Sequence, residues 1–103
     1  VEDFARLYMN AHTHGIEPHI HIDDGDFTLI YYPRIDWKLE WGGGTLIYDE
    51  ESTKVEKLAD YKGNRLIVFD ARRPHQAQSV CRECYELRTC VVFKANVSGG
   101  NRE

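Results

Sequence analysis

The sequence predicts an all-β, or mainly β, fold with a jelly-roll core, and three observations point there. Roughly seven or eight short runs of β-forming residues follow one another, with Gly, Pro, Asn or Asp turn signals about every 8–12 residues. Hydrophobic residues make up 42% and aromatic residues 12% of 103 positions, which suffices for one packed core and argues against disorder. So many short strands create many edges. Two sheets rolled together satisfy those edge N–H and C=O groups better than one open sheet. No internal repeat or low-complexity block interrupts the pattern.

In chain order, Ala5 to Asn10 reads as a strand with Leu7 and Met9 on one face and Arg6, Tyr8 and Asn10 on the other. Ala11 to Pro18 reads as a loop, and its His12 and His14 are left out as ligands because loop histidines are commonly solvated. His19 to Asp23 alternates as a strand and ends in the turn Asp24-Gly25-Asp26. That turn lacks the acidic ladder and closing Glu of a calcium loop. Phe27 to Tyr32 is a dense β-former run, expected to be central, and Pro33 ends it. Arg34 to Trp41 is a connection whose two tryptophans suit a lid or rim. Gly42-Gly43-Gly44 permits close backbone approach before the strand Thr45–Tyr48. Asp49 to Thr53 is an acidic turn, and Lys54 to Tyr61 fits either a short helix or an irregular strand. After the turn Lys62-Gly63-Asn64 comes the apolar strand Arg65–Asp70, which Arg72-Arg73-Pro74 breaks before His75. Gln76 to Val80 is expected to pair with a final strand, Tyr85 to Lys94, through a Cys81–Cys84 turn. These elements place one domain at 1–95 and a flexible tail at 96–103.

Composition narrows the function. The net charge is −4, and the only basic pair is Arg72-Arg73, so a phosphate-backbone binder is disfavoured. No apolar run approaches the ~20 residues of a membrane span, and no signal peptide is visible. The expectation is a soluble, cytoplasmic protein with no membrane partner. The first residue is Val1 rather than Met, which suits a fragment or an excised domain. The Asn96-Val97-Ser98 sequon is read as chance without a secretory signal. Cys81, Cys84 and Cys90 are an odd number, unlike a disulfide framework. The Cys81–Cys84 spacing suits a zinc or redox pair, but a zinc site would need Cys90 and His75 as well, and no helix follows Cys81 for a thioredoxin-type motif.

The chemistry concentrates in His19-Ile20-His21-Ile22-Asp23. Period-two alternation puts His19, His21 and Asp23 on one face and the isoleucines on the other. Two imidazoles and a carboxylate are costly to bury unpaired, and a divalent cation would satisfy them. His21, Asp23 and one distant His make a 2-His-1-carboxylate facial triad, the donor set of non-haem Fe(II) sites. His75 is the only His after position 21. Arg88, thirteen residues later on the last strand, could hold a substrate carboxylate in a bidentate pair. The plainer alternative is a solvated strand end.

Together His21-x-Asp23, His75 and Arg88 resemble the signature of the 2-oxoglutarate- and Fe(II)-dependent oxygenases, in particular their prolyl-4-hydroxylase-like branch, which includes the oxygen-sensing prolyl hydroxylases. Ile30-Tyr31-Tyr32, Asp36-Trp37, Gly43-Gly44-Thr45-Leu46 and Arg65–Phe69 with Arg73-Pro74-His75 extend the likeness over roughly residues 5–95. The chain is also similar to short single-domain members carried by viruses of cyanobacteria. The resemblance implies a double-stranded β-helix core and a hydroxylase that uses Fe(II), O₂ and 2-oxoglutarate, with ascorbate as a candidate reductant. It implies release of succinate and CO₂ and a peptide or small-molecule substrate, a peptidyl proline among the candidates. It assigns His21, Asp23 and His75 to iron, Arg88 to the distal carboxylate of 2-oxoglutarate, and Tyr8 and Tyr32 to the same pocket. Related halogenases carry a small residue in place of the carboxylate, so Asp23 points to hydroxylation. The stretch from Tyr8 to His21 and the gap from His75 to Arg88 are longer than the family pattern, and the helices usually upstream of the core are not in these residues.

Three other readings compete. A cupin-type metal protein would use His19, His21 and His75, but the Glu expected after the second His and the Pro-x-Gly before the distal one are missing. A nucleic-acid demethylase of the same superfamily would carry Arg-x-Asn-x-x-x-Arg on the last strand, where this chain has Arg88-Thr89-Cys90-Val91-Val92-Phe93-Lys94. A non-enzymatic β-sandwich interaction domain would make the His and Asp residues incidental.

Overall fold

The structure, a computed structural model, describes residues 3–16 and 18–96. Its strands are β1 (Asp3–His12), β2 (Phe27–Tyr32), β3 (Thr45–Tyr48), β4 (Val55–Ala59), β5 (Arg65–Asp70), β6 (His75–Ala77) and β7 (Arg88–Asn96). One 3₁₀ turn, Leu39–Trp41, lies between β2 and β3. The strands form a four-stranded sheet in the order β1-β7-β2-β5 and a three-stranded sheet in the order β4-β3-β6. Every pairing is antiparallel. No helix among the described residues is long and apolar enough to cross a membrane.

Alternation in β2 and, as far as Lys94, in β7 builds the interior. Thr28, Ile30 and Tyr32 of β2 are buried, as are Arg88, Cys90, Val92 and Lys94 of β7. Ile30 sits directly opposite Val92 in the ladder. Tyr32 stacks on Tyr61 at 4.3 Å between ring centroids, and Trp37 leans on Tyr61 at 4.9 Å. Val80, Cys84 and Cys90 complete this cluster. The outer face of the same sheet is apolar too: Leu7, Met9, Leu66 and Val68 are more than half exposed.

The strands at Phe27–Tyr32, Thr45–Tyr48 and Arg65–Asp70 have the predicted bounds. The first strand runs on to His12, because residues 7–12 keep an unbroken ladder with β7. The open reading of Lys54 to Tyr61 resolves as strand, since β4 supplies the second partner of β3.

Other expectations change. His19–Asp23 is not a strand but an extended segment tied by one bridge, His21 to His75. Pro18 has no N–H to give, and Ile20 and Ile22 stay exposed with no layer to cover them. The Cys81–Cys84 turn does not join a hairpin, because β6 pairs with β3 and β7 with β1 and β2. It is the crossover between the two sheets, and the last strand begins at Arg88 rather than Tyr85. Trp37 is no lid: it is buried and donates its indole N–H to the Gly42 carbonyl at 2.8 Å. Asn96 closes β7 rather than opening a tail, and 97–103 lie outside the described residues.

Gly44, just before β3, packs directly against the backbone at the end of β4. A Cβ there would stand 2.2 Å from the Ala59 carbonyl oxygen. That contact is with backbone, which cannot step aside. Gly44→Ala is expected to cost about 3 kcal/mol, the upper end of overpacking effects, read as a lower urea midpoint with an unchanged m-value.

Candidate metal centre

His21, Asp23 and His75 each offer a ligand atom, and these atoms lie within 4.8 Å of one another. The bridge between His21 and His75 makes this possible. Each residue's N–H donates to the other's carbonyl, both at 2.9 Å, which locks the two backbones side by side. The Asp23 N–H donates to the Ala71 carbonyl at 2.8 Å, so the carboxylate is held from its own backbone as well. Asp23 and His75 are buried, whereas the His21 side chain is half exposed. One side of the cluster therefore faces solvent.

Both rings are oriented by backbone. His21 Nδ1 lies 3.0 Å from the His19 carbonyl, and His75 Nδ1 lies 2.7 Å from the Arg73 carbonyl. A carbonyl only accepts, so each Nδ1 carries its hydrogen and each Nε2 turns a lone pair inward. His75 Nε2 is 3.0 Å from Asp23 Oδ2, and His21 Nε2 is 3.6 Å from Oδ1. Lone pairs and a carboxylate facing one another repel unless a cation stands among them, a proton shared between His75 Nε2 and Asp23 Oδ2 in the metal-free protein or a metal ion in its place. The donor set thus fits a divalent metal of borderline hardness, as imidazole with carboxylate suits Fe(II).

Sequence reasoning missed two groups that hold Asp23. Thr28 donates its hydroxyl to Oδ2 at 2.7 Å, and Lys94 Nζ lies 3.1 Å from Oδ1. The available signal was a polar residue on the inward phase of an otherwise apolar strand, at Thr28 beside Ile30 and at Lys94 after Val92. Burial pushes the Asp23 carboxyl up, but His75, Thr28 and Lys94 together outweigh it and hold it well below the usual carboxylate range. A group lowered in the folded state contributes stability above its unfolded value of about 3.9, and that contribution is lost as pH falls through the folded value. In metal-free protein, the stability gap between the native chain and Asp23→Asn is therefore expected to shrink from about pH 6 to about pH 3. Urea melts at the two pH values check this, and a constant gap would contradict it.

A cavity runs inward from the triad to Arg88, lined by Tyr8, Thr28, Thr45, Cys90 and Val92 among others. Arg88 is 2% exposed. Its guanidinium donates to the Gly43 carbonyl and, at 3.4 Å, to that of Gly44, and reaches Cys90 Sγ at 3.5 Å. Its Cζ stands 5.9 Å from the Tyr32 ring and 5.8 Å from the Tyr61 ring. The glycine run acts here, since Gly43 at φ 81° turns its carbonyl onto Arg88. Among the described residues no carboxylate pairs with Arg88. A buried cation held only by neutral acceptors is a socket for an anion.

Of the other residues singled out, Tyr8 lines the cavity. Tyr32 does not line it: it is fully buried, and its hydroxyl bonds Thr45 Oγ1 at 2.6 Å, so Thr45 presents the polar edge instead. His19, which a cupin set would require, lies outside the cluster and contributes its carbonyl to His21. His14 packs edge-on against Tyr85 at 5.5 Å. His12 stands opposite Arg88 in the β1–β7 ladder, and among the described residues its buried Nε2 has no hydrogen-bond partner. Burial first, and then Arg88, lower its pKa. Cys81 and Cys84 belong to no three-donor group among the described residues.

Known proteins share this architecture. A prolyl hydroxylase from Trichoplax adhaerens, solved in complex with a peptide fragment of the hypoxia inducible factor oxygen degradation domain, is 22% identical with a TM-score of 0.68 over 88% of this chain. A Pseudomonas putida prolyl-4-hydroxylase is 19% identical with a TM-score of 0.73 over 95% of the chain. A prolyl 4-hydroxylase structure from Phytophthora capsici is 17% identical with a TM-score of 0.64 over 84%. The matched parts are 43%, 54% and 30% of those proteins, so this chain spans about half their length or less. No curated protein matches the chain by sequence. The family described as the 2OG-Fe(II) oxygenase superfamily matches residues 5–94. With nearly the whole chain inside that match, and a His-Asp-His cluster at its centre, the chain belongs to the 2OG-Fe(II) oxygenase superfamily.

Proposed function

We propose that the chain is the core of an Fe(II)- and 2-oxoglutarate-dependent dioxygenase that hydroxylates a peptide side chain, a peptidyl proline being the first candidate, and releases succinate and CO₂. The observation that carries this is the convergence of two backbone-oriented imidazoles and the Asp23 carboxylate within 4.8 Å, at the mouth of a cavity that ends on Arg88. Bound Fe(II) would supply oxygen activation coupled to decarboxylation of the keto acid.

The chain's own residues do the rest. His21, Asp23 and His75 would hold the metal, and three protein donors would leave coordination positions for exogenous ligands. Arg88 would take the distal carboxylate of 2-oxoglutarate, with Tyr8 on the cavity wall and the Tyr32–Thr45 hydroxyl pair behind it. Val92, Ile30 and Cys90 wall the cavity against water. A peptide is favoured by the groove that passes His21 between Asn10, Ile16, Pro18 and His19, and by the peptide bound to the Trichoplax relative. Incubation with Fe(II), 2-oxoglutarate, ascorbate and proline-containing peptides should yield succinate and peptide carrying one added oxygen by mass spectrometry. Succinate without any oxidised peptide would overturn the peptide assignment.

A further inference from the structure

We propose that Lys94 is a positioning residue that sets the charge of the metal centre: its buried ammonium offsets Asp23, so that a loaded metal keeps the positive charge that draws an anionic keto acid. The inference rests on the proposed metal and co-substrate reading and names a residue that reading does not need.

Lys94 is 7% exposed and lies on the inward phase of β7. A buried ammonium is costly unless paired and hydrogen-bonded, and an apolar side chain would fill the position at lower cost. Its Nζ has Asp23 Oδ1 at 3.1 Å and the Tyr8 ring centroid at 5.4 Å. Directly opposite Lys94 in the β2–β7 ladder stands Thr28. Thr28 grips Oδ2 and Lys94 grips Oδ1, so one rung of the sheet clamps both oxygens of the carboxylate. Thr28 is a neutral donor and orients the group without changing its charge. Lys94 adds charge: with both imidazoles neutral, Asp23 and Lys94 sum to zero, and a divalent ion brings the centre to a net +2 rather than +1. That favours a dianionic co-substrate and disfavours the bare metal, at distances where unit charges interact strongly.

The two effects have opposite signs, which separates a charge role from a packing role. With Mn(II) as the probe, Lys94→Met is expected to bind the ion about tenfold more tightly, read from free Mn(II) by electron paramagnetic resonance. Calorimetry on the Mn(II)-saturated variant is expected to show 2-oxoglutarate binding about tenfold more weakly. Lys94→Arg should keep both constants near native. Should Lys94→Met not fold, Lys94→Gln carries the same test. Both constants moving in the same direction, neither moving, or Lys94→Arg behaving like Lys94→Met would overturn the proposal while leaving the metal site standing. A native chain that binds no Mn(II) would overturn the metal reading itself, and Lys94's role with it.

Discussion

His75→Ala is expected to abolish turnover and to weaken Fe(II) binding on the order of 10²–10³-fold, one ligand's share of a typical protein–metal affinity. His75 is buried. Its ring is fixed from three sides: the Arg73 carbonyl at Nδ1, the Phe69 ring edge-on at 4.7 Å, and the His21 ring at 4.3 Å. The variant also leaves Asp23 without one of its partners. The backbone bridge to His21 uses no side-chain atom of residue 75, so the fold should survive with a modest loss of stability. Circular dichroism and a metal titration on the same sample check both halves. Turnover that persists would remove His75 from the metal.

Arg88→Leu is expected to leave metal binding near native and to weaken 2-oxoglutarate binding about 100-fold, two charge-assisted hydrogen bonds' worth. Its effect on stability should run the other way. The native protein carries the desolvation cost of a guanidinium whose partners are the Gly43 and Gly44 carbonyls and a thiol. Removing a buried charge that has no ionic partner removes that cost, and Leu refills the space with apolar atoms. An unchanged or higher melting temperature with lost co-substrate affinity marks a binding residue. A lower melting temperature with unchanged affinity would mark a structural one.

Much of this site is legible in the sequence because it is written in short range. His21-x-Asp23 is two residues apart, and an extended chain turns both to one side whether or not it forms a ladder. That is why the pair converges although the predicted strand does not exist. Phe27–Tyr32 and Arg65–Asp70 declare themselves by density of β-formers, and His75 follows from being the last histidine. What fails is long range. The Cys81–Cys84 spacing suits a hairpin, yet the tertiary demand is to carry the chain from the small sheet to the large one. The loop reading of His12 fails because β7 is long enough to pair with it. Thr28 and Lys94 each show in the sequence only as a polar residue on an inward phase, with no partner named. Only the register that sets them opposite each other shows why two polar residues point inward. Tyr32 illustrates the converse: its position in the sequence is informative, but whether it touches the cavity depends on Thr45, thirteen residues away.

The measurement that bears most directly on the central claim is an anaerobic titration of the chain with Fe(II) and then 2-oxoglutarate, followed by visible absorption. A metal-to-ligand charge-transfer band is expected that requires both additions, saturates at one equivalent of each, and is absent from Asp23→Ala. Fe(II) binding without that band, or a band that persists in Asp23→Ala, would contradict it.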